Sequence, residues 1–223
     1  MTTPSVSIHK INTSAPGFES LKRLYASAFP QCERREEEEW CRMINIEPVL
    51  SLYSILPDHT IPMQSEGESG GAISSLGEGE RGGKNSRSNE PFHPAPIGFI
   101  TAWDLEDFTY IEHFAIADSV RNGGFGTKAI RAFLQAIPQG RTVILEAEPP
   151  ESSPLAARRI AFYQRQGFIL SDYPYKQPPY TEGGKMIDLK LMSSVSIPSQ
   201  AAYAAIVSSI YTTVYRYEER GKR

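Results

Sequence analysis

The sequence predicts an α+β fold in which helices pack in layers on a sheet, and three features support this. Residues 5–11 alternate between apolar and polar side chains, as in a half-buried strand. Residues 97–103 and 108–116 form two denser apolar patterns that a short acidic turn joins. Residues 124–137 carry apolar side chains at helical spacing. Strands and helices that mix along one chain in this way are typical of layered α and β structure.

Composition narrows the class of protein. The chain has 223 residues, 40% of them hydrophobic, which suits one domain with appendages. The net charge of -3 and the lack of a clustered basic stretch argue against nucleic-acid binding. The polar start and the absence of a long apolar run predict no secretory signal and no membrane span. Cys32 and Cys41 lack metal-ligand spacing, so we expect free thiols, no metal and a cytoplasmic protein.

The first third of the chain predicts two helices and two strands. One helix follows Ser14 and Pro16 and ends near residue 30, and a second covers residues 32–44. Its acidic run, residues 33–39, is interpreted as a solvated face with Arg34 and Arg35 as internal partners. The alternative is a rim that attracts a cationic substrate. A strand at residues 49–55 precedes a Gly-, Ser- and Glu-rich insertion at about 57–96, expected to be a mobile loop.

The last third predicts an alternation of strands and helices. Residues 141–147 form a strand whose continuous apolar run suggests burial on both faces. A helix at 155–166 ends before Gly167, and short strands follow at 168–170 and 186–192. A C-terminal helix over about 199–218 is expected to dock on the core rather than bind a partner. We therefore divide the chain into a domain at 1–192, with the insertion, and a helical extension at 193–223.

A glycine-rich turn between a strand and a helix is the most informative segment. The strand ending at Ile116 is followed by residues 121–126, with the sequence RNGGFG, which lead directly into a helix. Such a turn exposes backbone N–H groups at the positive end of a helix dipole, which suits a pyrophosphate. Thr127 precedes Lys128, which breaks the P-loop pattern, and the third glycine of a dinucleotide fingerprint is absent. The remaining pattern is R-x-x-G-x-G.

Two motifs together resemble the GNAT (GCN5-related N-acetyltransferase) superfamily. The first is IEHFAI at residues 111–116 followed by R-x-x-G-x-G, and the second is RRIAFYQRQGF at residues 158–168. The similarity runs from the first strand to about Met192, without residues 64–89. Ala156 and Arg159 stand where many members carry an Asn and a small residue. The resemblance implies a mixed, mostly antiparallel sheet that splays open between the strands ending at Ile116 and at residue 147.

The resemblance also implies a function and a set of site residues. The chain would be an acetyl-CoA-dependent N-acetyltransferase, acting as a monomer or homodimer on an amine of a small molecule or protein. Glu112 would be the general base, Tyr163 the general acid and the Ile116 N–H the oxyanion donor. Strand alternation predicts that Tyr110, Glu112, Phe114 and Ile116 share one face, with His113 on the other. Tyr110 and Tyr175 would contact the acceptor. Acetyl-CoA would be held by Phe114, Ala115, Ile116, Arg121, Asn122, Gly123, Gly124, Phe125, Gly126 and Thr127.

Several alternatives stay open at this stage. The chain could be a non-catalytic CoA-binding sensor or scaffold, or a nucleotide-binding protein of another kind. Glu112 could be an ion-pair partner, Tyr163 a core aromatic, and the glycine loop a simple tight turn. The tyrosines at 173, 175 and 180 could form an acceptor wall or pack within a loop. Ligand binding and acetyl transfer measured side by side would separate these classes.

Overall fold

The computed structural model describes residues 5–58, 95–181 and 183–217. Most of the 57–96 insertion, namely residues 59–94, lies outside the described residues. The strands are β1 Val6–Ile11, β2 Leu50–Pro57, β3 Gly98–Asp104, β4 Phe108–Ile116, β5 Thr142–Ala147, β6 Ile169–Leu170, β7 Tyr175–Gln177 and β8 Ile187–Ser193. The helices are α1 Phe18–Ala28, α2 Glu37–Ile46, α3 Phe125–Ala136, α4 Pro154–Arg165 and α5 Gln200–Ser209.

The strands form one open, mixed sheet in the order β1-β2-β3-β4-β5-β8-β6, with β7 paired to β8. Only β4 and β5 run parallel, and the other described pairs are antiparallel. Helices cover both faces. A larger core cluster lies with α1, α2 and α5, and a smaller one lies with α3 and α4. The expected fold class, a mostly antiparallel layered α+β sheet, is confirmed.

The second helix begins later than expected. The prediction placed it over 32–44, but residues Gln31–Glu33 form a 3-10 turn and α2 starts at Glu37. Arg34 between them is extended, at φ -142° and ψ 156°, which breaks the helix. Trp40 and Met43 then bury the apolar side of α2, as their spacing predicts.

A bulge in β4 changes which side chains share a face. Thr101 pairs with His113 but Ala102 pairs with Ile111, so Glu112 is an extra residue on β4. Tyr110 therefore packs in the larger cluster, whereas Phe114 and Ile116 pack with the smaller one. The prediction that these three side chains share a face with Glu112 is wrong, because it assumed an unbroken alternation.

The bulge also places His113 on the same side as Glu112. Its ring packs 5.0 Å from that of Tyr25 and 4.6 Å from that of Phe29. Its Nδ1 lies 3.9 Å from Glu112 Oε2 and hydrogen-bonds to Thr101, while Nε2 bonds to the Glu33 carbonyl. His113 is a buried residue, as expected, but not on the face opposite Glu112.

The C-terminal helix docks on the core, as expected. Tyr203 of α5 is buried, and a wider π-helical turn at Ile210–Val214 follows without a break. Ile210 and Val214 are fully buried in the larger cluster. In the described ranges, no helix has the length and apolar character to span a membrane. The same ranges contain no group of metal-ligating side chains, and both cysteines are free thiols.

Candidate active site

The sheet opens between β4 and β5. Their pairing covers only Phe108 to Ile111 on β4 and Thr142 to Leu145 on β5. Beyond that point β4 continues to Ile116 and β5 to Ala147 with a gap between them. The gap opens into a cavity of about 470 Å³. Glu112 and Glu146 are the first residues past the last pair, so both stand where the strands separate.

The backbone of β4 offers hydrogen-bonding groups to this gap. The Ala117 N–H donates to the Ile97 carbonyl at 2.8 Å, which makes 97 and 117 a hydrogen-bonded pair. In an antiparallel ladder such pairs alternate, so the N–H and C=O groups of Phe114 and Ile116 face away from β3. They therefore point toward the gap, where an extended ligand could pair with them as an added strand. The side chain of Arg121 donates to the Ile116 carbonyl at 3.2 Å.

The glycine-rich turn forms the N-terminus of α3 at one end of the cavity. Gly124 is the N-cap in the left-handed region, at φ 79°, where only glycine is unstrained. The N-cap makes no side-chain hydrogen bond, and the first turn holds no acidic residue. The first N–H groups of the helix thus stay available for an anion. Five of the ten predicted cofactor residues line the cavity, namely Phe114, Ala115, Ile116, Arg121 and Gly126.

Tyr163 of α4 lines the same cavity. Ser153 caps α4 by accepting a hydrogen bond from the Ala156 N–H at 3.0 Å, and Pro154 occupies the first turn. The Tyr163 ring packs against Phe162 and Phe168. Its hydroxyl makes no hydrogen bond within the described residues. Burial raises the pKa of Tyr163 to about 12, although Arg159 opposes the shift, so the phenol stays protonated at neutral pH.

Charged side chains of both signs line the cavity. The basic ones are Arg121, Arg158 and Arg159, and the acidic ones are Glu33, Glu112, Glu146 and Glu148. Arg159 and Glu148 meet at 2.5 Å. The basic side chains complement phosphates, and the acidic ones complement an ammonium group.

Glu112 is held by a buried ion pair. Arg35 Nη2 lies 2.9 Å from its Oε1, and the two side chains are 8% and 0% exposed. The Trp103 indole N–H donates to Oε2 at 2.8 Å, and the Tyr180 hydroxyl donates to Oε1 at 3.1 Å. Burial works to raise the pKa of Glu112, but Arg35, His113 and these hydrogen bonds outweigh it, so the pKa is lowered. A carboxylate that is stabilised by an ion pair and two hydrogen bonds is a weak proton acceptor.

This ion pair departs from the sequence interpretation of the acidic run. Arg35 was expected to pair within residues 33–39, but it crosses to Glu112 and stacks over the Tyr180 ring at 4.8 Å. Within the acidic run, Glu39 forms a salt bridge with Arg42, and Glu37 forms one with Lys22. Arg35 lies before the start of α2, next to an extended residue, so its side chain does not lie on a helix surface beside the acidic run.

Glu146 is the carboxyl group that the geometry favours as a base. Tyr175 donates a short hydrogen bond to its Oε1, and Tyr215 donates to Oε2 at 2.9 Å. Burial raises the pKa of Glu146 to about 7 and the nearby Glu112 charge adds to this, while the hydrogen bonds of Tyr175, Tyr110 and Tyr215 oppose it. A carboxyl group with a pKa near 7 can take and release a proton at neutral pH.

The predicted acceptor-binding tyrosines lie behind this carboxyl group. Tyr110 is fully buried, and its hydroxyl is 3.3 Å from that of Tyr215. Neither Tyr110 nor Tyr175 is among the residues that line the cavity. Tyr180 does line it, whereas Tyr173 packs 4.8 Å from Tyr203. Of the residue 173–180 segment, only Tyr180 and Gln177 therefore face the space where an acceptor would lie.

Sequence reasoning missed three residues that matter here, Glu146, Arg35 and Tyr215. Only Glu146 could have been found from the sequence, because a single carboxylate in a strand predicted to be buried on both faces is unusual. Arg35 sits beside acidic neighbours that suggest local pairing. Tyr215 is 69 positions from Glu146 along the chain, so no spacing rule links them.

Comparisons with known proteins agree with this geometry. Residues 79–168 match the model of the Acetyltransferase (GNAT) family. Over this stretch the chain carries the sequence pattern of the GNAT family. A structure described as a GNAT-family acetyltransferase from Bacteroides thetaiotaomicron superimposes with a TM-score of 0.72 at 28% identity, covering 95% of this chain and 99% of that one. Curated proteins gave no match.

Two more distant structures share the fold of this chain. NAA60 of Arabidopsis thaliana, in complex with a bisubstrate analogue, gives a TM-score of 0.52 at 17% identity, over 85% of this chain and 98% of that one. Spermidine N-acetyltransferase of Vibrio cholerae, in complex with CoA and spermine, gives 0.51 at 11% identity, over 85% and 94%. At these identities the likeness concerns the fold, and the chemistry has to be argued from the site.

Proposed function

We propose that this protein is an N-acetyltransferase that transfers the acetyl group of acetyl-CoA to a primary amine, with Glu146 as general base and Tyr163 as general acid. The observation that carries the proposal is that a carboxyl group able to accept a proton and a phenol able to donate one line the same cavity. The Glu146 pKa is raised to about 7, and the Tyr163 phenol stays protonated. Pairs of titratable groups with such pKa values are typical of acid–base chemistry.

The cavity suggests how the two substrates are arranged. The diphosphate of CoA would lie at the α3 N-terminus near Arg121, and the pantetheine arm along the free backbone edge at Phe114 and Ile116. The thioester then reaches the point where β4 and β5 separate. The amine, as an ammonium ion, is attracted by the acidic side chains of the cavity and loses one proton to Glu146.

Acetyl transfer from the thioester to the amine involves no change of oxidation state. The neutral amine attacks the thioester carbonyl. The Phe114 N–H donates to the developing oxyanion, because it faces the gap two residues from Glu112, whereas the Ile116 N–H lies too far along β4. The tetrahedral intermediate collapses, the C–S bond breaks, and Tyr163 donates its proton to the departing sulfur. The nitrogen, now bonded to the acetyl carbon, loses its second proton, which returns to the Tyr163 phenolate. The acetylated amine and free CoA leave, and Glu146 releases the first amine proton to solvent. Glu112 stays ionised beside Arg35 and accepts no proton in this reaction.

A glutamate at the N-cap of α3 should abolish CoA binding. Gly124→Glu forces a side chain into a backbone at φ 79° and brings a negative charge to the diphosphate position. We expect the Kd for CoA, measured by calorimetry, to rise at least about 100-fold, from combined strain and repulsion.

Gly140→Glu is the matched control for this change. Gly140 has a similar φ of 85° and open surroundings, but it lies in the loop between α3 and β5, away from the lining residues of the cavity. It should bind CoA as the unmodified chain does. Equal CoA affinity in both variants would argue against the α3 N-terminus as the diphosphate site.

Removal of the Tyr163 hydroxyl should slow turnover without weakening CoA binding. Tyr163→Phe keeps the ring contacts with Phe162 and Phe168 but leaves the thiolate to depart unprotonated. Because a thiol pKa of about 8.5 makes that departure tolerable, we expect a fall in kcat of about 10- to 100-fold. Thiol release and CoA calorimetry measure the two effects. A kcat unchanged from pH 6 to 9 would exclude the acid role.

A non-catalytic CoA-binding module is the competing function. It would use the same α3 N-terminus but would need neither Glu146 near neutrality nor a free Tyr163 hydroxyl. A panel of amines, assayed for CoA thiol release from acetyl-CoA, separates the two. Tight CoA binding with no release above the amine-free rate across aliphatic amines, amino sugars and peptides would favour the module.

A further inference from the structure

The C-terminal segment packs behind the candidate active site and contacts Glu146 from there. Residues 210–217 follow α5 and lie far along the chain from β4 and β5. Ile210 and Val214 are fully buried, and Tyr215 is 8% exposed. The segment is thus packed as core, although it comes after the last strand of the sheet.

A buried arginine fixes the end of this segment. Arg35 Nη2 donates to the Val214 carbonyl at 2.7 Å while its Nε donates to Glu112 at 3.1 Å. The same guanidinium therefore joins the C-terminal turn to the bulge of β4. A carbonyl held by a buried charged donor has little freedom to move.

The π-helical turn then directs Tyr215 toward Glu146. The Tyr215 N–H bonds to the Ile210 carbonyl at 3.3 Å, five residues back, so the turn contains one residue more than an α-helical turn. The Tyr215 hydroxyl donates to Glu146 Oε2 at 2.9 Å. Tyr175 of β7 donates a hydrogen bond to the other oxygen, Oε1, so donors from two separate elements fix both carboxylate oxygens.

We infer that residues 210–217 are an integral part of the acetyl-transfer site, and that Tyr215 is a positioning residue that orients the Glu146 carboxylate toward the acceptor amine. This inference rests on the proposed role of Glu146 as the base. Tyr215 acts through Glu146, and it is absent from the residues that line the cavity. The motifs at 111–126 and 158–168 do not include this segment.

The titratable groups around Glu146 set the direction of the test. They are Glu112 and Tyr110 from β4, Tyr175 from β7, Tyr180 from the following loop, and Tyr215. Glu112 disfavours ionisation of Glu146, whereas the hydroxyl donors favour it. Tyr215→Phe keeps the ring in place and removes one donor to the ionised form. The Glu146 titration should consequently move to higher pH.

The test is a titration that needs no acceptor. Carboxyl carbons of ¹³C-labelled glutamate are followed by NMR, and the Glu146 signal is assigned by its loss in Glu146→Gln. We expect Tyr215→Phe to raise its midpoint by about one pH unit, the effect of one hydrogen bond to a charged group. The acidic limb of kcat/KM for the best amine in the panel should move by the same amount.

Tyr203→Phe is the matched control. Tyr203 is buried in α5, and its hydroxyl donates to the Pro174 carbonyl at 3.2 Å rather than to Glu146. It should leave both midpoints unchanged, with melting curves confirming that each variant is folded. A folded Tyr215→Phe whose Glu146 midpoint stays within about 0.3 units would overturn the positioning role. Full activity in Glu146→Gln would instead overturn the proposed base and leave the titration result intact.

Discussion

Replacement of Glu146 by glutamine should lower kcat/KM by about 100- to 10,000-fold, the contribution typical of a general base. The amide keeps the shape of the side chain. Its oxygen can accept from one of Tyr175 and Tyr215 and its NH2 can donate to the hydroxyl oxygen of the other, so the cavity should keep its form. CoA binding at the proposed α3 site should not change. Initial rates of thiol release and CoA calorimetry on the same preparation measure both quantities.

The same variant should be more stable than the unmodified protein at alkaline pH. The Glu146 pKa is about 7 in the folded chain, above its ordinary value of 4.5, so ionisation between these values favours the unfolded chain. Above about pH 7 the glutamine variant should therefore gain on the order of 1–3 kcal/mol in the free energy of unfolding, and below about pH 4.5 the gain should vanish. Lost activity together with lost stability would point to a structural role for Glu146 instead.

Glu112→Gln is the informative comparison for activity. If Glu112 were the base, as the sequence motif suggests, its loss would match that of Glu146. We expect a smaller fall in kcat/KM, at most about 10-fold, because Glu112 would act only through its buried partners. A larger activity loss in a folded Glu112→Gln than in Glu146→Gln would reverse the assignment of the base.

The second large effect concerns the free energy of unfolding. Arg35→Met should destabilise the protein by about 3–5 kcal/mol, because it leaves the Glu112 carboxylate buried and unpaired. It also removes the donor that holds the Val214 carbonyl. The pKa of Glu112 is lowered in the folded chain, so this stabilisation is present above about pH 4.5 and is lost as the pH falls through the folded value. Urea unfolding at pH 7 measures it.

An exposed pair provides the control for this experiment. Arg42 and Glu39 meet at 2.7 Å, but their side chains are 50% and 41% exposed. Arg42→Met should cost less than about 1 kcal/mol. The double variant Arg35→Met with Glu112→Gln should recover part of the loss, since it removes the orphaned charge. A cost for Arg35→Met no larger than that for Arg42→Met would show that the buried pair contributes little.

Local sequence determined the parts of this protein that depend on neighbouring residues. The R-x-x-G-x-G turn needs glycine at a positive φ, and the apolar spacing of residues 124–137 specifies the helix that follows. Together with residues 158–168, these patterns sufficed to predict the resemblance to the GNAT family and the splayed sheet. Each rests on short-range geometry, which a sequence carries directly.

Tertiary structure alone decided how the two candidate carboxylates differ in pKa. Glu112 and Glu146 are both glutamates on adjacent strands, yet one is paired with Arg35 and the other is surrounded by neutral tyrosine hydroxyls. A single extra residue in β4 and a C-terminal turn from the far end of the chain produce that difference. A pKa is set by burial and by charges within a few ångströms, and these neighbours come together only when the chain folds.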